Sequence, residues 1–322
     1  MSYWRDPGLL IGIVVVLAAA ALAFVASDYR LFQLTTVVIY AVAILGLALV
    51  TGINGQISLG HGAFYAVGAY VTAILMSLYD VPYWATLPVS AVICAGIGFL
   101  VGLPALRLGG LYLALTTFAL AVATPQLLKY KLLQGWTGGV QGLVVDKPDP
   151  PFGLPINADQ WLYLFSLAVA AVVFLLAANL VRGRIGRAMR AVRDNALAAE
   201  ATGINVALFK TRTFAVSAMI TGVAGSLGAI TVGFVSPDSF TVFLSITLFT
   251  GLVVGGASTI AGPVFGALFI TFLPNVAEQI SKAAPGVIYG VVLIAFMFLL
   301  PSGVAGGLGR ALRRRRAHVV SS

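Results

Sequence analysis

The length of the charge-free apolar runs constrains this chain more than any other feature. An ionised side chain at the centre of a membrane helix costs about 2.5–3.5 kcal/mol on insertion scales, so runs of about 20 residues without Asp, Glu, Lys or Arg mark segments able to cross a bilayer. Eight such runs occur: Gly8–Ser27, Leu31–Tyr79, Val81–Leu106, Leu108–Leu128, Gln160–Val181, Thr213–Pro237, Ser239–Ala277 and Ala283–Gly309. Two are too long for one crossing. A helix over Ser239–Ala277 (277 − 239 + 1 = 39 residues), at about 1.5 Å per residue, is nearly twice the ~30 Å hydrocarbon core. That run must turn once, and its punctuation is Gly255-Gly256-Ala257-Ser258-Thr259-Ile260-Ala261-Gly262-Pro263. Leu31–Tyr79 divides in the same way at Gly52–Gly62. The sequence therefore predicts an all-α, polytopic membrane protein: one transmembrane domain over residues 1–322, about ten transmembrane helices and two glycine-rich breaks.

Composition agrees, with 60% hydrophobic and 9% charged residues and a mean hydropathy of +1.02, against about 25% charged in soluble domains. The first run ends at Val25-Ala26-Ser27 like a signal peptide, but the chain beyond it is equally apolar, which favours an uncleaved first helix. Cys94, the single cysteine, lies in an apolar run and forms no internal disulfide. It reads as a small buried hydrophobe.

Basic residues concentrate on the cytoplasmic side of membrane proteins, which fixes an expected orientation. With ten crossings and the N-terminus inside, 14 of the 19 basic residues fall in cytoplasmic segments: Arg5, Arg107, Arg182, Arg184, Arg187, Arg190, Arg193, Lys210, Arg212, Arg310 and Arg313–Arg316. Seven of the ten acids fall outside, so the two sides carry +11 (14 − 3) and −2 (5 − 7) and sum to the net +9. The tail, 310–322, reads as a topology signal facing anionic headgroups, and no nucleic acid is needed to explain the basic balance.

The longest inner segment, 182–212, is predicted to be a helix-turn-helix beneath the bilayer. Met189, Val192, Ala196 and Ala199 recur at helical spacing on one face, with Arg187, Arg190, Asp194 and Glu200 elsewhere. Arg190 and Asp194, one turn apart, are placed to pair. Gly203 supplies a left-handed cap, and a second helix begins near Asn205. The small Ala, Val and Met face suits a groove in a partner protein better than lipid, which favours Trp, Phe and Leu.

These residues carry a family resemblance. Gly186-Arg-Ala-Met-Arg-Ala-Val-Arg-Asp-Asn-Ala-Leu-Ala-Ala-Glu-Ala-Thr-Gly-Ile-Asn205 resembles the coupling loop of inner-membrane permeases of branched-chain amino acid ABC importers, of the LivM type. Gly55-Gln-Ile-Ser-Leu-Gly-His-Gly-Ala-Phe64, Leu106-Arg-Leu-Gly-Gly-Leu-Tyr-Leu-Ala-Leu-Thr116, Thr137-Gly-Gly-Val-Gln-Gly142 and Gly255–Pro263 agree in order along the chain. One departure stands out: Ala196 follows Asn195 where the signature carries an acidic residue. The resemblance implies a non-catalytic subunit of a bacterial inner-membrane transporter, with both termini cytoplasmic and a fold like the ribose and vitamin B12 permeases. Its implied partners are a second homologous permease, two cytoplasmic ATPases that bind ATP and Mg, and an extracytoplasmic binding protein. Arg187, Met189, Arg190, Val192, Arg193, Asp194, Ala199, Glu200 and Gly203 would couple to the ATPases. Urea or a short amide is the alternative cargo.

Lipid-exposed backbone must satisfy its amides internally, so irregular chain at membrane depth belongs inside the bundle. The two breaks occupy corresponding places in the two halves, as expected where a transport path runs between repeats. Asn54, Gln56, Ser58, His61, Gly255 and Ser258 are thus candidates for the translocation path; the other reading is that glycines permit close packing while the polar groups cap neighbouring backbone. No Asp or Glu falls within a predicted span to relay protons with His61, which disfavours a proton-coupled carrier or a stand-alone channel. No lysine follows a glycine, so there is no Gly-Lys-Ser/Thr phosphate loop and energy must come from elsewhere. No catalytic residues and no metal site are expected. In the outer loop, 129–159, Trp136, Gly138 and Gly139 are candidates for docking a binding protein, with rigidity expected from the prolines between Pro148 and Pro155.

Overall fold

A computed structural model describes residues 7–105, 110–153, 155–280, 285–300, 302–308 and 310. The basic tail beyond Arg310, together with Arg5, Arg107 and Lys282, lies outside the described residues. The elements are α1 (Pro7–Ala21), α2 (Asp28–Leu47), α3 (His61–Tyr79), α4 (Tyr83–Ala105), α5 (Leu111–Leu128), α6 (Gln134–Thr137), β1 (Leu143–Val144), α7 (Ala158–Arg182), α8 (Arg184–Asp194), α9 (Ala196–Ala201), α10 (Val206–Val232), β2 (Phe234–Val235), α11 (Val242–Gly255), α12 (Gly262–Ile280) and α13 (Pro285–Leu299). Both long runs divide where glycine spacing placed the turn: α2 gives way to α3 across Gly52–Gly62, and α11 to α12 across Gly256–Ala261.

Six helices among the described residues are long and apolar enough to cross a membrane: Asp28–Ile53, His61–Tyr79, Tyr83–Leu103, Leu111–Leu128, Ala158–Arg182 and Val206–Val232. Gly12–Phe24, Val242–Gly255 and Gly286–Phe296 are apolar but shorter. The protein is thus an all-α membrane protein, with six clear spans among the described residues, where hydropathy leads to an expectation of about ten. The glycines that break the second long run leave α11 only 14 residues. α12 runs through Glu278, so a carboxylate that the apolar runs excluded sits in its last turn.

α10 is the axis of the bundle. Its 27 residues span about 40 Å, and it packs against α2, α3 and α4. Gly222, Gly225 and Gly228 recur every three residues and make close approach possible. A Cβ on Gly225 would stand 2.0 Å from the Tyr65 carbonyl oxygen, and one on Gly68 would stand 2.0 Å from that of Gly222. Where lipid tails are as apolar as leucine, such small-residue contacts and buried hydroxyls hold helices together. Ser226 Oγ accordingly bonds Ser90 Oγ on α4 at 2.5 Å and the Gly68 carbonyl on α3 at 3.2 Å. Cys94 is buried against this seam, its thiol facing the Phe64 carbonyl at 3.6 Å.

α7 lies across the other side of α2 and holds α1 through Tyr163 Oη to the Ala19 carbonyl (2.9 Å) and the turn after it through Gln160 Nε2 to the Ala23 carbonyl (3.1 Å). The α11–α12 hairpin packs on α2, closed by Gly251 and Gly266 backbone to backbone. The only sheet among the described residues is the antiparallel pair β1–β2, Leu143 opposite Val235, which staples the loop after α6 to the end of α10.

Replacing Gly225 by valine should force α3 from α10 and lower stability by about 1–3 kcal/mol, read as a drop in the thermal unfolding midpoint in detergent. A Cβ at Gly96 on α4 meets no atom within 4 Å, so Gly96→Ala should be neutral or stabilise by up to about 1 kcal/mol.

Candidate functional site

The first break begins as a π-helix over Ala48–Ile53, in which the Asn54 amide reaches back five residues to the Leu49 carbonyl (3.1 Å) and the Gln56 amide reaches Val50 (2.9 Å). π-turns are rare and concentrate at functional sites. Beyond it the chain runs irregularly to His61, and three of its polar groups are paired with three different helices. The Leu59 amide donates to Thr117 Oγ1 of α5 (2.9 Å), the Gly62 amide to Ser245 Oγ of α11 (2.9 Å), and Gln56 Nε2 to the Lys210 carbonyl of α10 (3.3 Å).

His61 is fully buried at the start of α3. Its Nε2 lies 2.6 Å from Ser217 Oγ, and its Nδ1 3.0 Å from Ser58 Oγ. Ser217 donates its proton to the Gly46 carbonyl at 2.5 Å, so its oxygen must accept from Nε2–H. Nδ1 is left to accept the Ser58 hydroxyl proton. The imidazole packs edge-on to Phe64 and Phe214, which are themselves edge-on to one another at 5.7 Å. Ser58 and His61 thus link the break to α2 and α10, and neither faces an open path. This favours the capping and packing reading of the break. Asn54 is the exception: it is buried, and neither side-chain amide atom has a protein partner among the described residues, a state that costs about 1–3 kcal/mol.

The two breaks touch. A Cβ on Gly52 would stand 1.8 Å from the Ala257 carbonyl oxygen, so the last turn of α2 lies directly on the loop between α11 and α12. Gly256, at φ 109°, is seated on its other side against Ser302 and Gly303. Gly255 is buried against Gly262, whereas Ser258 is exposed and lines no internal path.

Beneath the breaks lies the inner segment. α8 folds back under α7 at Gly186, where a Cβ would stand 1.8 Å from the Val181 carbonyl oxygen. Asn195 ends α8 and caps α9, accepting the Ala198 amide at 3.1 Å, so the segment is two helices rather than one. α9 closes with a left-handed glycine: the Gly203 amide donates to Glu200 and the Ile204 amide to Ala199, with Gly203 at φ 88°. Asn205 then caps α10 through the Leu208 amide (3.0 Å). Both the cap and the restart fall where sequence spacing put them.

Two expectations are corrected. The small apolar face of Met189, Val192 and Ala199 is buried within this chain, with Ala196 half-buried, and so is not the surface offered to a partner. The outward face instead carries Arg187, Asp194, Glu200 and Gly203, with Ile185 and Leu197, the latter 79% exposed. Nor do Arg190 and Asp194 pair. Arg190 Nη1 turns to the Val181 carbonyl (3.3 Å), and Asp194 Oδ1 holds the Nε of neighbouring Arg193 (3.0 Å). Arg193 points upward, and its Nη1 donates to the Gly52 carbonyl at 3.1 Å.

On the opposite face, Trp136 is 61% exposed, whereas Gly138 and Gly139 serve the turn itself, with φ of 70° and 55°. Thr137 Oγ1 bonds the Leu128 and Leu133 carbonyls (2.8 and 3.0 Å), and ion pairs Lys129–Asp238 (2.5 Å) and Lys147–Asp159 (3.1 Å) brace the loop. Its order comes from these contacts and the β1–β2 staple more than from its prolines.

Sequence reasoning missed Thr117, Ser217 and Ser245, and the contact of Gly52 with Ala257. The three hydroxyls are visible as isolated polar residues in apolar helices, but their partners lie 58 to 183 positions away.

A helical membrane protein with internally capped glycine breaks joined to an inner helix pair has the form of a transporter subunit. The chain matches, over residues 29–300, a family described as the permease component of branched-chain amino acid transport systems. It belongs to that family. It is 30% identical over 311 residues to the high-affinity branched-chain amino acid transport permease LivM of Escherichia coli K12, covering 89% of this chain and 72% of that protein. It is 27% identical over 291 residues to BraD of Pseudomonas aeruginosa, and 25% over 300 residues to LivH of Escherichia coli K12, covering 83% of this chain and 91% of each relative. No solved structure matches the chain.

Ser217→Ala strands both the His61 Nε2–H and its link to the Gly46 carbonyl. The loss should be on the order of 1 kcal/mol, above the ~0.6 kcal/mol average for interhelical bonds in a membrane, read as a lowered unfolding midpoint. Removing the exposed Thr36 hydroxyl, which bonds only the Phe32 carbonyl of its own helix, should change it by less than about 0.5 kcal/mol.

Proposed function

We propose that this chain is the membrane-spanning permease subunit of an ATP-driven importer for branched-chain or other hydrophobic amino acids. It forms one half of a translocation pathway with a second, homologous permease. The observation that carries this reading is the α8–α9 pair. It is capped at Asn195, Gly203 and Asn205, seated on the bundle by its apolar face, and joined by hydrogen bond to the first break. Such a unit transmits a push as a rigid body.

Two cytoplasmic ATPases, which bind ATP and Mg, would grip its outward face at Arg187, Leu197 and Glu200. On the opposite side, a substrate-binding protein would land on the braced loop around Trp136. In this reading the six long helices are joined by α1, α11, α12 and α13 to give ten crossings, with both termini in the cytoplasm of a bacterial inner membrane. The charge asymmetry of +11 against −2 supports that orientation. The chain itself carries out no covalent chemistry.

Reconstitution in liposomes with the co-purified partners should give leucine uptake that requires ATP, and the chain alone should give none. Gradient-driven uptake by the chain alone would overturn the proposal, and uptake of urea in place of leucine would reassign the cargo. Leu197→Asp should lower the substrate moved per ATP about tenfold, equivalent to ~1.4 kcal/mol, while leaving membrane insertion intact.

A further inference from the structure

We propose that Arg193 is a positioning residue rather than a motor contact: it stands in for the missing helical donor at the Gly52 carbonyl and so holds the end of α2 in its π register. This inference rests on the coupling role proposed above and names the element through which that coupling enters the membrane.

In an unbroken α-helix the Gly52 carbonyl would accept the amide of residue 56, and the Val50 carbonyl that of residue 54. Here both amides are displaced: Asn54 N–H reaches Leu49, and Gln56 N–H reaches Val50. The Gly52 carbonyl takes Arg193 Nη1 instead, at 3.1 Å. The guanidinium is held from behind by Asp194 Oδ1, and its aliphatic stem lies over Gly55, where a Cβ would stand 2.6 Å from Arg193 Cγ. Gly55 is at φ 74°, a conformation glycine can exchange for a helical one without a side-chain penalty.

The exchange between registers keeps both amides paired. If the coupling segment carries Arg193 away, Gln56 N–H can move from Val50 to Gly52, and Asn54 N–H from Leu49 to Val50. The Leu49 carbonyl, freed of Asn54, is then in the i−4 position to accept the Ile53 amide. The shift turns the residues after the π-helix by about 100° about the axis and advances them by about 1.5 Å. Asn54 would then leave the buried position in which its amide has no protein partner. Because Gly52 lies on the Ala257 carbonyl with no room for a Cβ, the α11–α12 loop has to follow. The turn at 48–56 is therefore a two-state element, and Arg193 selects its state.

The test is hydrogen-exchange mass spectrometry of peptides covering 48–58 in the complete transporter in nanodiscs, beside the ratio of uptake to ATP hydrolysis. In the wild type, nucleotide trapping should change exchange in these peptides about tenfold. Arg193→Gln should show the trapped pattern without nucleotide and should lose coupling. Arg193→Lys, which keeps one donor, should recover part of both. Gly55→Ala, which disfavours the positive φ and displaces the arginine stem, should resemble Arg193→Gln. If Arg193→Gln loses coupling but leaves exchange over 48–58 as in the wild type, Arg193 is a motor contact and the proposal fails. It fails equally if both readouts are unchanged. An inactive wild-type complex would count against the transport reading, whereas the nucleotide-free comparison of wild type with Arg193→Gln addresses the register in its own right.

Discussion

Backbone polar groups at membrane depth have no water to turn to, and the architecture follows from how two non-helical stretches are nonetheless satisfied. Backbone amides and a carbonyl freed between Gly52 and Gly62 find partners on α5, α8 and α11, in Thr117, Arg193 and Ser245, while the Gln56 side chain donates to the Lys210 carbonyl of α10. Each partner comes from a different element, so satisfying the break also fixes where those elements lie. One irregular segment organises most of the bundle, and the helix pairs around it pack through glycine because the hydroxyls must come within bonding distance.

That dependence explains the placement of small residues. α10 meets α3 and α4 through Gly222, Gly225 and Gly228, and α11 meets α12 through Gly251 and Gly266. Ser226 and Ser217 sit on the same helix as that glycine stripe and reach α4, α3 and α2. In lipid an interhelical hydrogen bond contributes on average only ~0.6 kcal/mol. The close packing must therefore carry much of the association, with the hydroxyls setting the register in which the helices meet.

Much of this was legible in the sequence where the physics is local. Apolar run length, the glycine turns at Gly52–Gly62 and Gly255–Gly262, and the cap at Gly203 depend on near neighbours in the chain. What failed depended on what lies opposite. Helical spacing correctly placed Met189, Val192 and Ala199 on one face, but a face of Ala, Val and Met fits a groove in its own chain as readily as a partner's. Arg190 and Asp194 have pairing geometry on an ideal helix. Arg190 has a closer acceptor in the Val181 carbonyl because Gly186 lets α8 fold back beneath α7. Asn195, unremarked as a cap in the sequence, splits one expected helix into two. Six of the ten expected spans are clear by length and apolarity among the described residues, and glycine breaks leave α11 shorter than its apolar run suggested.

The meeting of the two breaks has a consequence for how force could travel through such a subunit. Packed interiors respond to displacement by switching between discrete arrangements rather than by deforming smoothly. A push on α8 and α9 reaches the bundle through two kinds of contact: the apolar seat of Met189 and Val192, which any rigid body would provide, and the hydrogen bond from Arg193 to Gly52, which is directional. The first moves the segment and the bundle together. Only the second acts on a backbone group whose alternative partner, the Gln56 amide, is already adjacent in the chain, and only there does the moving turn bear directly on the other break through Ala257. Gly52 is a glycine for steric reasons on one side and an acceptor for Arg193 on the other, and this double constraint makes it the point where the two breaks and the α8–α9 segment meet.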